Sequence, residues 1–406
     1  MLASLYIHVP FCSQKCDYCD FYSVPITCSD AQTLMDPYIE AVLGDIEDQI
    51  RLFNVNSIPS VYIGGGTPSV LGAERITRFL TSIKTLLTSI DAPPLEFTVE
   101  ANPESTDEAF LQACVEGGAS RISLGVQSFC EASRKAVRRQ GSIRQLEDAL
   151  ALAARYFPLA FSADLITGLP FQTSAVVCQD IKALLSFPVA HVSLYSLILE
   201  PQTPLGKAIK QGAVSLPSSD EADSIWIAGR DLLENSGYRQ YEVSNFALPN
   251  KTSAHNIRYW RMENWLGAGP AASGTIIDDK TGTGKRFTYP ADIESYIRMT
   301  SPRINHAIIE ELGKADLIKE TMLMGFRYCE GPDKALFKQR FGREIEDMIP
   351  KTIALWSKRD FFQKCQTLKP SKQGLLFVNG FLRDAFEELA HSYSLPACIP
   401  HCPSAF

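Results

Sequence analysis

Six short apolar runs, each followed by a stretch of helical periodicity, limit what the first half of this chain can fold into. The runs are Leu5–Val9, Val61–Gly64, Phe97–Glu100, Arg121–Val126, Ser162–Ile166 and His191–Leu197. Between them, Pro37–Leu52, Ala73–Leu87, Asp107–Glu116, Ile143–Ala154 and Val176–Leu185 place apolar residues at i, i+3, i+4 and i+7, the spacing of an amphipathic helix. Strand–helix alternation predicts an α/β fold with a parallel sheet and right-handed crossovers. Six units ending near residue 215 fall short of the eight that close a barrel, so an open, partial barrel is expected.

In such sheets chemistry gathers at the carboxyl ends of the strands. Here those ends carry the cysteine loop, the run GGGTPS, Glu100, Gln127, Asp164 and Tyr195. The loop CSQKCDYCDF sets Cys12, Cys16 and Cys19 in a C-x3-C-x2-C triad. Zinc sites come as two separated C-x2-C pairs and redox dithiols as a lone C-x-x-C, and neither pattern fits. Three thiolates can hold a [4Fe–4S] cluster by three irons, leaving the fourth open to a small molecule. The plain alternative is three unrelated thiols in a loop.

Hydrophobic content of 45% and charge of 21% over 406 residues are ordinary for a globular protein of one large and one smaller domain. A net charge of −7 argues against a nucleic-acid binder, which would carry a basic face. No uncharged apolar run is long enough to span a membrane. No basic segment precedes the first apolar run as in a secretory signal. Eleven cysteines without paired spacing fit a reducing, cytoplasmic setting. Cys114, Cys130, Cys178, Cys329 and Cys365 read as core fillers, and Cys398 and Cys402, around His401, as a reduced pair on a tail.

Four segments follow from these patterns. Residues 1–235 form the barrel, including a helix at Asp220–Asn235, and 236–300 form an aromatic-rich connection. Residues 301–390 form a small, mostly helical, winged-helix-like domain. Its helices are expected near Glu310–Met324, at Pro332–Leu355 and in GLLFVNGFLRDAFEEL. Residues 391–406 form a loosely ordered tail.

Each candidate side chain has two readings. Gly64–Gly66 with Thr67 and Ser69 either expose backbone N–H groups to a ligand or make a tight strand–helix turn. Glu100, at the end of an apolar strand, either accepts hydrogen bonds from an amine or is a surface carboxylate. Gln127 and Asp164 face the barrel interior, where Asp164 either holds hydroxyl groups or makes a structural bond. Arg139 either grips a carboxylate bidentately or is solvated. His255, in an aromatic setting, either ligates heme iron or is a bonded structural histidine.

The motifs YIHVPFCSQKCDYCDF, GGGTPS, VEANPES, RISLGVQSF, DLITGLP, HVSLYSLILEPQTPL, QYEVSNFA and HNIRYW occur in an order that resembles a known family. It is that of the radical S-adenosylmethionine (SAM) enzymes related to oxygen-independent coproporphyrinogen III oxidase. The resemblance runs from about residue 5 to 385 and is nearest to the family's heme chaperone branch. It implies a partial (β/α)6 barrel, a [4Fe–4S] cluster on the triad, SAM on the open iron, and heme or a porphyrin as a further ligand. It also implies heme-acceptor proteins as partners, membrane-associated ones included. By position, Tyr6 and Tyr18 would lie beside the cluster and SAM, Gly65 on SAM, and Gly66 and Thr67 on SAM or a second molecule. Glu100 would receive the methionyl amino group. Gln127, Arg139, Asp164 and Ile198 match the remaining ligand positions, and His255 belongs to a motif suspected of binding heme. Phe21 stands where the oxidase carries a further cysteine, and only eleven residues precede Cys12, which favours the chaperone branch. Departures occur on the ligand side at Gly141 and Ser273, where relatives carry histidine, and at Phe171, where they carry glycine.

Three functions compete. The first is a heme carrier that keeps the radical SAM apparatus. The second is an oxidase in which SAM-derived radicals drive decarboxylation of propionate side chains. The third is a simple iron–sulfur module, which leaves GGGTP, Glu100 and Asp164 unexplained.

Overall fold

The computed structural model describes residues 1–26, 31–88, 90, 94–364 and 368–393. Cys365, Cys398, His401 and Cys402 lie outside the described residues. The six expected runs form strands β1 (Ser4–Val9), β2 (Ser60–Gly65), β3 (Glu96–Ala101), β4 (Arg121–Gln127), β5 (Phe161–Thr167) and β6 (His191–Ser196). They pair in parallel in that order, with Leu5 opposite Val61, Tyr62 opposite Thr98, Glu100 opposite Ser123 and Asp164 opposite Ser193. The crossovers carry helices α1 (Ala31–Leu52), α2 (Gly72–Thr88), α3 (Glu108–Glu116), α4 (Ile143–Tyr156) and α5 (Ser174–Leu184), with α6 (Ser219–Asn235) after β6.

Alternation along each strand separates two environments. Leu5, Ile7, Val61, Ile63, Phe97, Val99, Ile122, Leu124, Phe161, Ala163, Val192 and Leu194 are fully or almost fully buried in one core with the helices. The intervening positions are polar or aromatic: Tyr6, His8, Tyr62, Thr98, Glu100, Ser123, Asp164, Ser193 and Tyr195. Because side chains alternate with period 2, all of these share the concave face. A closed eight-stranded barrel packs that face with bulky aliphatic residues. Here it is hydrophilic, so the lumen holds hydrogen-bonding groups.

The sheet extends beyond the six strands. Further strands are β7 (Arg239–Gln240), β8 (Asn245–Ala247), β9 (Trp265–Ala268), β10 (Ser273–Asp278), β11 (Thr283–Thr288) and β12 (Ile308–Leu312). The twelve strands run β12-β11-β10-β9-β1-β2-β3-β4-β5-β6-β8-β7. Strand β9 is parallel to β1, which adds a seventh parallel strand; the other additions are antiparallel. Helix α7 (Ala254–Trp260) carries HNIRYW.

Two expectations change after residue 300. Glu310–Leu312 belongs to β12, and helix α8 (Lys314–Gly325) starts only after Gly313, whose N–H the Asp316 carboxylate caps at 3.1 Å. The stretch Pro332–Leu355 is three helices, Lys334–Phe341, Ile345–Met348 and Pro350–Ser357. Gly342 closes the first in the left-handed conformation (φ 70°) and Pro350 opens the third, as C-terminal glycine and N-terminal proline do. These helices and α9 (Val378–Tyr393) surround a second core that includes Trp260, Trp265, Met322, Phe326, Phe337, Phe381 and Phe386. Within it Phe361 and Phe381 stack at 4.3 Å.

Arg286 on β11 joins this core to the sheet. Its guanidinium donates to both oxygens of Glu320 on α8, at 3.0 and 2.7 Å, with both side chains buried. Glu320→Ala leaves that guanidinium buried without its bidentate partner. It is expected to lower stability by about 3–5 kcal/mol in denaturant titration. Replacing both residues by aliphatic ones of similar size should cost much less.

Candidate functional site

The loop between β1 and α1 carries the triad at the carboxyl end of the barrel. Cys12 and Cys16 are buried and Cys19 is half-buried; none is in a disulfide. Burial pushes the Cys12 thiol above its ordinary value and the Cys19 thiol to about 11, and the neighbouring thiolates add to both shifts. A metal group would therefore have to displace protons from these sulfurs.

A hydrogen-bonded bridge links two of the three cysteines through residues that follow β2, β3 and the short helix Glu131–Ala136 after β4. The Cys12 sulfur lies 3.3 Å from the Thr67 hydroxyl. Asn102 donates its Nδ2 to the same hydroxyl at 2.8 Å, so the Thr67 proton is free to point at sulfur. Arg139 Nη2 donates to Asn102 Oδ1 at 2.8 Å and to the Gly125 carbonyl, and Nη1 reaches the Cys16 sulfur at 3.7 Å. A hydroxyl and a guanidinium both favour the thiolate. Gly125 has no room for a side chain, because a Cβ there would meet Asn102, Gln127 and Arg139 at about 3 Å. Gln127 sits in the left-handed region (φ 67°) at a bulge, which turns it toward the same place. Tyr18 packs with Val137, Leu169 and Leu205 beside Cys16 and Arg139.

Below this bridge lies the half-buried Glu100. Its Oε1 accepts from the Tyr62 hydroxyl at 2.6 Å and its Oε2 from the Gly65 N–H at 3.1 Å. Burial raises its pKa to about 7, and the nearby Asp164 adds to the rise. Asp164 accepts from Ser123 and Ser193 and is raised by burial to about 6. Tyr6 reaches the His8 Nδ1 at 3.1 Å, and His8 Nε2 donates to the Tyr22 carbonyl at 2.9 Å. Burial lowers His8 to about 4, so the ring is neutral. The glycine run fits closely around these groups. A Cβ on Gly64 would strike the Glu100 carboxyl at 2.5 Å, one on Gly65 (φ 98°) the His8 ring at 2.3 Å, and one on Gly66 the Val9 carbonyl at 2.5 Å.

The structure thus brings together Tyr6, Cys12, Cys16, Tyr18, Cys19, Gly65, Gly66, Thr67, Glu100, Gln127, Arg139 and Asp164. Ile198 lies in the loop just after β6, at the same carboxyl end of the sheet, and is 73% exposed. The structure does not bring in His255. His255 is buried at the opposite end of the strands, against Ser60 at the start of β2, roughly 16 Å along that strand from Gly65. Ser60 donates to Ser4, so His255 Nδ1 donates to Ser60 at 2.9 Å and Nε2 accepts from Tyr259 at 3.1 Å. Neither nitrogen is left for an iron. Contrary to the iron-facing expectation, the ring holds α7 on the barrel floor, where the Glu96 carboxylate caps the helix through Ala254 N and His255 N at 3.0 Å.

Of the departures from the family pattern, Gly141 (φ 81°) forms the turn before α4, and Ser273 bonds Thr288 at 2.7 Å. Phe171 is exposed in the loop after β5. The sequence reading missed Asn102, His8 and Tyr62; only their places in VEANPES, YIHVP and beside GGG signalled them.

Among the described residues no three His, Cys, Asp or Glu side chains converge closely enough for a single metal ion. A four-iron cube is larger than one ion, and the donor set suits it: three thiols on one loop at the mouth. Arg139 Nε and Gln127 Oε1 are buried there without partners. Polar atoms seldom stay buried and unpaired, and these two fit a site that a bound group completes.

The sequence profile of the radical SAM superfamily matches residues 6–183, and that of the HemN C-terminal domain matches 312–377. The chain is 36% identical to heme chaperone HemW of Lactococcus lactis, over 85% of this chain and 89% of that protein. It is 33% identical to heme chaperone HemW of Escherichia coli, over 93% and 97%. Its fold is similar to that of the coproporphyrinogen III oxidase HemN of E. coli, a radical SAM enzyme. That comparison has a TM-score of 0.77, 21% identity, and coverage of 95% of this chain and 89% of the other. The chain therefore belongs to the radical SAM superfamily, in the family of the HemW heme chaperones.

Proposed function

We propose that this chain is a heme chaperone that binds a [4Fe–4S] cluster, SAM and heme and delivers heme to acceptor proteins, membrane-associated ones included, in the cytoplasm. The observation that carries the reading is the bridge from Cys12 through Thr67, Asn102 and Arg139 to Cys16, set above the half-buried carboxylate of Glu100. Cys12, Cys16 and Cys19 hold the cluster, which supplies an open iron for SAM. Glu100 accepts from the SAM amino group, with Tyr6, Tyr18, Gly65, Gly66 and Thr67 around it; Gln127, Arg139 and Asp164 complete the pocket. Residues 1–235 form the six-stranded barrel unit, 236–300 extend its sheet with β7–β11, and 301–390 form the C-terminal unit, whose β12 still belongs to that sheet. Exposed Phe21, in place of the oxidase's extra cysteine, favours carriage over decarboxylation.

Single replacement of Cys12, Cys16 or Cys19 by alanine should abolish the [4Fe–4S] absorbance after anaerobic reconstitution, whereas Cys114→Ala and Cys178→Ala should keep it. Full iron and sulfide content in any triad variant would refute the assignment.

Glu100 predicts a pH dependence. Its raised pKa means that the carboxyl is neutral below about 7 and charged above it. Affinity for SAM, measured by equilibrium dialysis, should therefore rise between about pH 6 and about pH 8, with Asp164 contributing at the lower end. Glu100→Gln should bind more weakly by about 1–3 kcal/mol and show a flatter profile. Without SAM the sign reverses for stability. The folded chain holds this proton more tightly than the unfolded one, so stability falls as pH rises from the ordinary carboxylate range toward 7.

The purified chain should bind heme and convert no coproporphyrinogen III; SAM-dependent decarboxylation would overturn the carrier reading in favour of the oxidase. His255→Ala should leave the heme spectrum unchanged while lowering the melting temperature, since its imidazole is committed to Ser60 and Tyr259.

A further inference from the structure

We propose that the groove between the β5–α5 loop and the segment preceding α6 receives an extended segment of a partner polypeptide. That segment carries an apolar side chain with a lysine or arginine beside it. Heme delivery, as read above, requires a protein partner, and three features of the groove define its chemistry.

The first feature is an exposed anchor. The groove encloses about 980 Å³, and Phe171, Val214, Leu216 and Ile225 supply its apolar wall. Phe171 is 68% exposed and holds φ at 66°, in the left-handed region that disfavours a side chain. A glycine would take that conformation without penalty. An aromatic ring kept in solvent against the preference of its own backbone marks a contact site. Ile198 and Leu199, in the loop after β6, are also exposed. A small ligand inside the groove would leave these protruding side chains wet, whereas a polypeptide lying across it covers them.

The second feature is an open backbone edge. Among the described residues, no backbone N–H or C=O of Val214, Ser215 or Leu216 is hydrogen-bonded within the chain. Leu216 precedes Pro217, which biases it toward an extended conformation. A surface segment with free N–H and C=O groups beside an apolar groove can accept the backbone of an added strand.

The third feature is charge. Asp220 and Glu221 are the charged side chains of the lining. Hydrogen bonds from the Ser218 N–H and hydroxyl, both at 2.8 Å, hold Glu221 below the ordinary carboxylate range and so ionised. Two carboxylates favour a cationic side chain and repel the propionates of a porphyrin. The lining also offers no histidine, cysteine, methionine, lysine or arginine to heme. The groove adjoins the cysteine loop: Ala136 lines it, and the carbonyl of Val137 accepts from Asp17 N at 3.1 Å.

The test uses a phage-displayed random dodecapeptide library on the reconstituted full chain, followed by fluorescence anisotropy with the enriched peptides synthesised. Enriched sequences should carry lysine or arginine beside an aliphatic or aromatic residue. Their affinity should fall at least about tenfold in Phe171→Ala, Asp220→Lys and Ser215→Pro, the last of which removes a backbone donor. Heme stoichiometry and cluster absorbance should stay as in the wild type. The proposal is overturned if no peptide is enriched, if acidic peptides are selected, or if the three variants bind like the wild type. A fall in heme affinity in Phe171→Ala would also overturn it, because the occupant would then be the porphyrin. Peptide binding by a chain that takes up no heme would instead leave the groove standing and remove the delivery reading.

Discussion

The hydrogen-bonded bridge across the barrel mouth is the constraint on which the rest of the site depends. Thr67 follows β2, Asn102 follows β3, and Arg139, beyond the short helix Glu131–Ala136, returns to β4 through the Gly125 carbonyl, while Cys12 and Cys16 lie in the loop after β1. Joining them fixes four strand ends relative to one another. Arg139 can serve this purpose because it is buried and its fork reaches a carbonyl, an amide oxygen and a sulfur together. A guanidinium is suited to this, with five donors in a rigid plane. The close fit at Gly125 and Gly66 follows from the same crowding, since the mouth is lined by backbone and polar atoms at contact distance.

A polar lumen under that mouth has an energetic cost, which the structure offsets by pairing most of its groups. Glu100 has Tyr62 and the Gly65 N–H, Asp164 has two serines, and His8 has Tyr6 and a carbonyl. The carboxyl groups remain raised toward neutrality because burial opposes their charge more than these bonds favour it. A cationic ligand would reverse that balance, which gives the lumen a preference for a positively charged group without any dedicated anionic cluster. At the barrel floor the same economy uses Glu96, which caps α7 and pairs with Arg121 at 3.5 Å. HNIRYW therefore closes the lower end, while the triad serves the upper one.

Much of this was legible along the chain. The six parallel strands and their helices follow from the period of their apolar residues, because alternation and 3.6-residue spacing are local properties. The triad follows from three thiols within eight residues, and Glu100 and Asp164 from charge placed inside apolar strands. Gly64–Gly66 could be read either as a ligand cradle or as a tight turn. The packing shows that the turn is required by Glu100, His8 and the β1 backbone, whatever else the loop contacts.

Tertiary structure alone decided the remainder. Strand β9 joins β1 across more than 250 residues of sequence, and no local period reports a partner so distant. Asn102 acts as the centre of the bridge only because β2, β3 and β4 end side by side. His255 illustrates the converse: its neighbours in sequence left an iron ligand and a bonded structural histidine both open, and the fold turns both nitrogens toward Ser60 and Tyr259. The sequence by itself determined which chemical groups the protein possesses and the elements that carry them. Which of those groups meet, and which end of the barrel each occupies, depended on strand order and register, which are long-range properties of the folded chain.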